Sequence, residues 1–174
     1  MSRLLWKKTG RIVFPALIMI LVSLQTPRAA DENKLSQKSL ETAAWMVRTS
    51  NASGGMCTIV SPRDPALVPA LASQGSFTVQ SLHREPDNIQ HTREIISSHS
   101  LYGDVSARHV TFPHLPYTQN LIDIAVVDKY PELRNKEGLK ADEILRIMSP
   151  LGTGYLGITE GAESDAAASI QKEL

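Results

Sequence analysis

The run "LIDIAVVD", Leu121 to Asp128, constrains the fold more than any other part of the chain. Six of its eight residues are apolar, so it lacks the strict alternation of a strand with one wet face. A strand of this kind is covered on both sides, as in a parallel sheet held between layers of helices.

The flanking sequence supplies those layers. Met56 to Val60, Ser76 to Leu82, Val105 to Val110 and Gly152 to Ile158 read as further strands. Between them lie helical patterns. Asn33 to about Asn51 places Leu40, Ala43, Ala44 and Val47 on one face, and "NASGG" breaks it, with Gly54 and Gly55 supplying the turn. Asp64 followed by Pro65 predicts a helix start, Gly75 its end, and Pro69 a bent or short helix. "EPDNIQHTREIISSHSL" carries Ile89, Thr92, Ile95 and Ile96 at helical spacing, with Pro86 near its start. "TFPHLPYTQN" is a loop, and "LKADEILRIMSP" is a helix with Leu139, Ile144, Leu145 and Met148 inward. Strand and helix therefore alternate in units of roughly 25 to 30 residues, which predicts right-handed crossovers and an α/β, doubly wound, mostly parallel Rossmann-like sheet of about five strands. No strand is encoded after Ile158, so the sheet is expected to end at its fifth strand, with residues 161–174 as a polar tail.

The first thirty residues are a different material. Arg3, Lys7, Lys8 and Arg11 precede a 13-residue apolar run, Ile12 to Leu24, and small residues follow at Ala29 and Ala30. This is the layout of a secretory signal peptide, and the run is shorter than the ~20 residues of a spanning helix. Cleavage after Ala30 would put Arg28 where a small residue is preferred, so an uncleaved anchor through residues 12–24 is the alternative. Either way the expectation is an exported protein, periplasmic or extracellular, touching membrane only through this segment. Residues 31–55 are then a leading helix and turn, and 56–160 the main domain. Eighteen basic against eighteen acidic residues, with no basic run, give no support for nucleic-acid binding. One cysteine excludes an internal disulfide and a zinc cluster of cysteines.

"LIDIAVVD" followed by "EILRIMSPLGTGYLG" resembles the fourth strand, helix and fifth strand of class I S-adenosylmethionine-dependent methyltransferases. Pro150, Leu151 and Gly152 stand where that family commonly has a Pro-Gly-Gly turn. More narrowly, "SGGMCTIVS", "LYGDVSARHV" and "LPYTQNLIDIAVV" resemble the methyltransferase-like N-terminal segment of large exported bacterial proteins that carry a β-propeller of the pyrroloquinoline-quinone-dehydrogenase type. The resemblance covers Ala44 to Ile158. It implies a cofactor crevice with a glycine-rich loop after strand one, an acidic residue ending strand two, and another after strand three. Here the glycine places fall on Ser61, Arg63 and Pro65, the first acidic place on His83 with Glu85 two residues later, and the second on Thr111. Asp128 keeps an acid at the end of strand four.

Ser61, Arg63, His83, Glu85, Thr111 and Asp128 are thus the candidate cofactor-binding positions, read as vestigial, with no catalytic residue and no metal ligand assigned. The other reactive residue types have plainer explanations. His91 and His99 lie eight apart and lack the i, i+4 partner that zinc helices use. Cys57 reads as a small core hydrophobe, Asp64 as a helix cap, Trp45 as packing of the first helix onto the sheet. Arg63 is a solvated loop charge or an anion contact.

The functional expectation is an exported, non-catalytic, methyltransferase-like domain with a structural or binding role and no cofactor. One alternative is a divergent methyltransferase that uses S-adenosylmethionine with Glu85 and Asp128; another is a small-ligand module in the same crevice. S-adenosylmethionine is made in the cytoplasm, which an exported domain leaves. A sheet that ends at strand five leaves an edge open, so a β-propeller protein or a second copy is the expected partner.

Overall fold

The computed structural model describes residues 35–157. The leader (residues 1–30), the tail (161–174) and the expected end of strand five at Ile158 lie outside them. Ten elements follow one another: α1 Gln37–Ser50, β1 Gly54–Val60, α2 Leu67–Ala72, β2 Ser76–His83, α3 Pro86–Ser98, β3 Val105–His109, β4 Ile122–Val127, α4 Tyr130–Glu137, α5 Ala141–Ile147 and β5 Met148–Leu156. The five strands form one parallel sheet in the order β3-β2-β1-β4-β5. The chain reverses its direction of winding between β1 and β4, the place where ligand crevices open in sheets of this kind.

The central strands are buried on both faces, and their alternation divides the core in two. Cys57, Ile59, Val79, Ile124 and Val126 point to one face and meet Ala43 and Met46 of α1, Leu67, Val68 and Leu71 of α2, and Ile89 and Ile96 of α3. Val60, Leu82, Ala125 and Val127 point to the other, against Tyr130 and Leu133 of α4 and Ile144 and Ile147 of α5. The fold is therefore a doubly wound α/β sandwich, in agreement with the pattern of apolar runs.

No helix crosses from β3 to β4; the connection is the loop 110–121. Its fixed point is Tyr117, whose hydroxyl donates to Gln80 Oε1 at 2.9 Å and lies 2.9 Å from Thr58 Oγ1. Gln80 passes the chain on to Ser106 Oγ at 3.1 Å, so one polar row runs across β1, β2 and β3. Burial raises the Tyr117 hydroxyl to a pKa of about 12, which keeps it a neutral donor. The loop is clamped from the other side by α5. Glu143 accepts the Leu115 amide at 2.7 Å, and Arg146 donates to the carbonyls of Tyr117 and Leu115 at 2.9 and 3.2 Å. The Arg146 guanidinium holds the Glu143 carboxyl below its usual range.

Several local expectations are corrected by tertiary contacts. Gly54 and Gly55 belong to β1, and the turn is made before them, at left-handed Asn51 (φ 55°). Gly55 itself has φ +120°, and a Cβ there would collide with the carboxylate of Asp123. That carboxylate accepts the Met56 amide at 2.9 Å and the Ser149 hydroxyl at 2.8 Å, stapling β1 and β5 to β4. The second helix starts at Leu67 rather than at Pro65, because Asp64 spends one carboxylate oxygen on the Ala66 amide and the other on Ser39 of α1. It is six residues long, as Pro69 in its middle foretells.

Helix α4 was not expected at all. Its sequence is polar, and its punctuation, Pro131 near the start and left-handed Gly138 after the end, is its only local signal. In α5 the inward side chains are Ala141, Ile144 and Ile147, with Leu139 buried just before the helix, whereas Leu145 is 48% exposed and Met148 already begins β5. Pro150, Leu151 and Gly152 do not precede β5 but form a bulge within it: between the paired positions Ile122/Met148 and Ile124/Thr153, β4 has one residue and β5 has four. Trp45 stays half exposed and reaches the sheet only at its margin, tilted against Tyr155 of β5 with centroids 5.4 Å apart.

Replacing Gly55 by alanine should therefore cost about 3 kcal/mol or more, since the strained φ and the collision with Asp123 act together. Gly103→Ala, at a similar φ of +115° with nothing near its Cβ, should cost clearly less. Urea unfolding of the two variants measures the difference, and equal losses would show that Asp123 moves aside.

Candidate functional site

The carboxyl ends of β1, β2 and β4 converge on the loop Ser61–Ala66. Ser61 leaves β1 with φ 51°, the left-handed conformation that favours glycine, and its amide donates to the Leu82 carbonyl at 2.8 Å. The loop thus makes the sharp turn of a glycine-rich loop while carrying side chains. Two carboxylates brace it. Asp64 ties it to α1, and Asp128 Oδ2 accepts the Arg63 amide at 3.1 Å. On its other side Asp128 Oδ1 is hemmed in by Gly157, where a Cβ would lie 2.7 Å away. The Asp128 carboxylate is engaged by the loop that a cofactor would have to approach.

His83 ends β2 with 3% of its surface exposed. Its Nε2 lies 2.9 Å from Ser81 Oγ and 3.1 Å from Thr92 Oγ1, so the ring is packed between β2 and α3. The Thr92 hydroxyl donates to the Asn88 carbonyl at 2.8 Å. Burial lowers the His83 pKa to about 4, so the ring is neutral at pH 7. Glu85 stands at the start of α3 with an exposed carboxylate 3.7 Å from Arg84. Arg84 reaches across to pair with Glu137 of α4, closing the crevice on that side.

Beside these groups lies a cavity of about 190 Å³ with Ser61, Pro62, His83, Glu85, Lys129 and Leu133 on its walls. Of the six candidate positions, Ser61, His83 and Glu85 meet there. Arg63 and Asp128 meet each other through the loop amide. Thr111, exposed in the loop after β3, lines neither. A larger hollow of about 500 Å³ lies elsewhere, between Arg134 of α4 and Asp142 of α5, away from the strand ends. Cys57 is buried in β1, and burial with Asp123 nearby pushes its thiol up to about 12, which makes it inert as a nucleophile. Among the described residues, no three His, Cys, Asp or Glu side chains converge as metal ligands would.

The pattern of residues gave no warning of α4 as a wall of the crevice, nor of Lys129, Glu132 and Leu133 in it. Only the pair of turn signals around α4 could have pointed there.

No protein-family model matches the chain, and no curated protein matches it in sequence. Its likeness is to solved structures. A proposed S-adenosylmethionine-dependent methyltransferase from Methanococcus maripaludis is 22% identical with a TM-score of 0.56, over 83% of this chain and 70% of that one. An S-adenosylmethionine-dependent methyltransferase from Thiobacillus denitrificans, in complex with S-adenosylhomocysteine, is 12% identical with a TM-score of 0.56, over 84% of this chain and 62% of that one. The [4+2]-cyclase SpnF is 16% identical with a TM-score of 0.55, over 64% of this chain and 41% of that one. The chain spans about half the length of other such structures. These likenesses establish the class I methyltransferase fold, and the cyclase among them illustrates that this fold does not fix one chemistry.

A bound S-adenosylmethionine would have to sit in this crevice. Pockets for ligands of that size hold ~300 Å³ or more, whereas this cavity holds about 190 Å³. The loop presents side chains at all three glycine places, and Pro65 also lacks an amide donor. As folded here, these residues do not fit the cofactor.

Because the folded His83 pKa lies below its unfolded value of 6.5, its contribution is present in full above pH 6.5 and is lost as pH falls towards 4. Stability should drop by up to about 3 kcal/mol over that window. In His83→Leu the slope between pH 6.5 and 4 should flatten, as urea midpoints would show; an unchanged slope would place the titration elsewhere.

Proposed function

We propose that this chain is a methyltransferase-fold domain that transfers no methyl group and acts as a structural or binding element outside the cytoplasm. The observation that carries this reading is the engagement of the crevice by its own chain. The Asp128 carboxylate holds the Arg63 amide, Arg84 pairs across the opening with Glu137, and about 190 Å³ is left. A catalytic crevice keeps its polar groups available for what develops in the transition state; here they are spent on the fold. The leader supports export, and export separates the domain from the cytoplasmic supply of S-adenosylmethionine. The narrower resemblance suggests a role beside a β-propeller protein, joined or separate.

A second reading, a divergent S-adenosylmethionine-dependent methyltransferase, draws on one observation of its own. Ser61 keeps the left-handed turn of the glycine-rich loop, so the backbone path of a cofactor site survives. That reading requires the Arg84–Glu137 pair to open and Glu85 to turn inward.

Calorimetric titration of the full chain with S-adenosylmethionine and S-adenosylhomocysteine separates the two. No heat at millimolar ligand, with folding verified by circular dichroism, is the expected result. Binding in the micromolar range, about −8 kcal/mol, would overturn the non-catalytic reading and make Glu85 and Asp128 the first residues to mutate.

A further inference from the structure

The two edges of the sheet are built differently. β3 ends in exposed Arg108 and His109, the kind of charged margin that discourages strand addition. β5 is nine residues long, carries no charge, has no fully buried residue, and among the described residues pairs only with β4. Its bulge thrusts Leu151 outward with 100% exposure and φ 70°, a conformation that leucine rarely adopts. Among the described residues nothing covers that side chain, so the strain of placing it gains no burial there. Beside it, α5 and β5 enclose an apolar groove of about 220 Å³, with Ile144, Leu145, Met148 and Leu156 around Gly152 and Gly154.

We infer that β5 is the interface of a two-fold homodimer, in which two β5 edges pair antiparallel and Leu151 of each copy seats in the α5–β5 groove of the other. Three features select a second copy as the occupant. A two-fold axis sets a strand against its own image, so a charge near the axis meets its like; β5 has no charge, and β3 carries Arg108. The projection and the hollow sit on the same edge, so one symmetry operation fills both, as an isologous contact requires. Finally, Trp45, 48% exposed against Tyr155 of β5, and Leu145, 48% exposed on α5, extend the apolar margin on either side of the strand.

Cross-linking of the full chain tests this. Thr153→Cys places a thiol in β5, while native Cys57 is buried and out of a reagent's reach. A short bis-maleimide should convert most of Thr153→Cys to a covalent dimer. Adding Leu151→Asp should lower the cross-linked fraction at least tenfold without changing the circular dichroism, because Leu151 is fully exposed. Arg108→Cys, on the opposite edge, should not cross-link. A monomeric Thr153→Cys overturns the homodimer and gives the edge to residues 158–174 or to another protein. A dimer that survives Leu151→Asp, or one that forms equally through Arg108→Cys, overturns it as well, since association would then run through some other surface.

Discussion

The structure depends on the pairing of β1 with β4, two parallel strands buried on both faces. Parallel neighbours cannot be joined by a hairpin, so every connection must leave the sheet and return across one of its faces. Because both faces of these strands are apolar, both need a cover. Helices α1 to α3 take one, and α4, α5 and the loop 110–121 take the other. The side-chain alternation of β1 and β4 assigns each residue to its layer, Cys57 and Ile59 to the first, Val60 to the second.

The same pairing creates the crevice and then closes it. At the switch between β1 and β4 the chain must turn sharply, and Ser61 makes that turn in a conformation that costs a side-chain-bearing residue about 1 kcal/mol or more. The bracing by Asp64 and Asp128 offsets this strain. A loop of glycines would need no such bracing, and its backbone could remain open to a ligand. Substituting the glycines and recruiting the carboxylates are therefore two aspects of one change, from a loop that receives a ligand to one that secures the fold.

Polar groups elsewhere are used in the same structural way. The Thr58–Gln80–Ser106 row with Tyr117 pins a loop where a helix could have packed, and Glu143 and Arg146 clamp that loop from α5. His83 is neutral and hydrogen-bonded against α3, on the face of the first core layer, rather than presented to solvent. Each is a buried or half-buried polar group whose partner is another part of the chain, as the cost of leaving such groups unsatisfied demands.

The sequence by itself determined the class of fold, the five strands and four of the five helices, because those rest on apolar period and turn chemistry, which are local. It also showed where the site residues differ from a glycine-rich pattern. It did not determine α4, whose polar sequence forms a helix only because Tyr130 and Leu133 find the second core layer. Nor could it place Gly55, whose conformation answers to Asp123 sixty-eight positions away. The fates of His83 and Asp128 were decided by tertiary structure alone. Spacing brought both to the strand ends, but whether a side chain there faces a ligand or its own backbone depends on partners distant in sequence, Thr92 for the one and the Arg63 amide for the other.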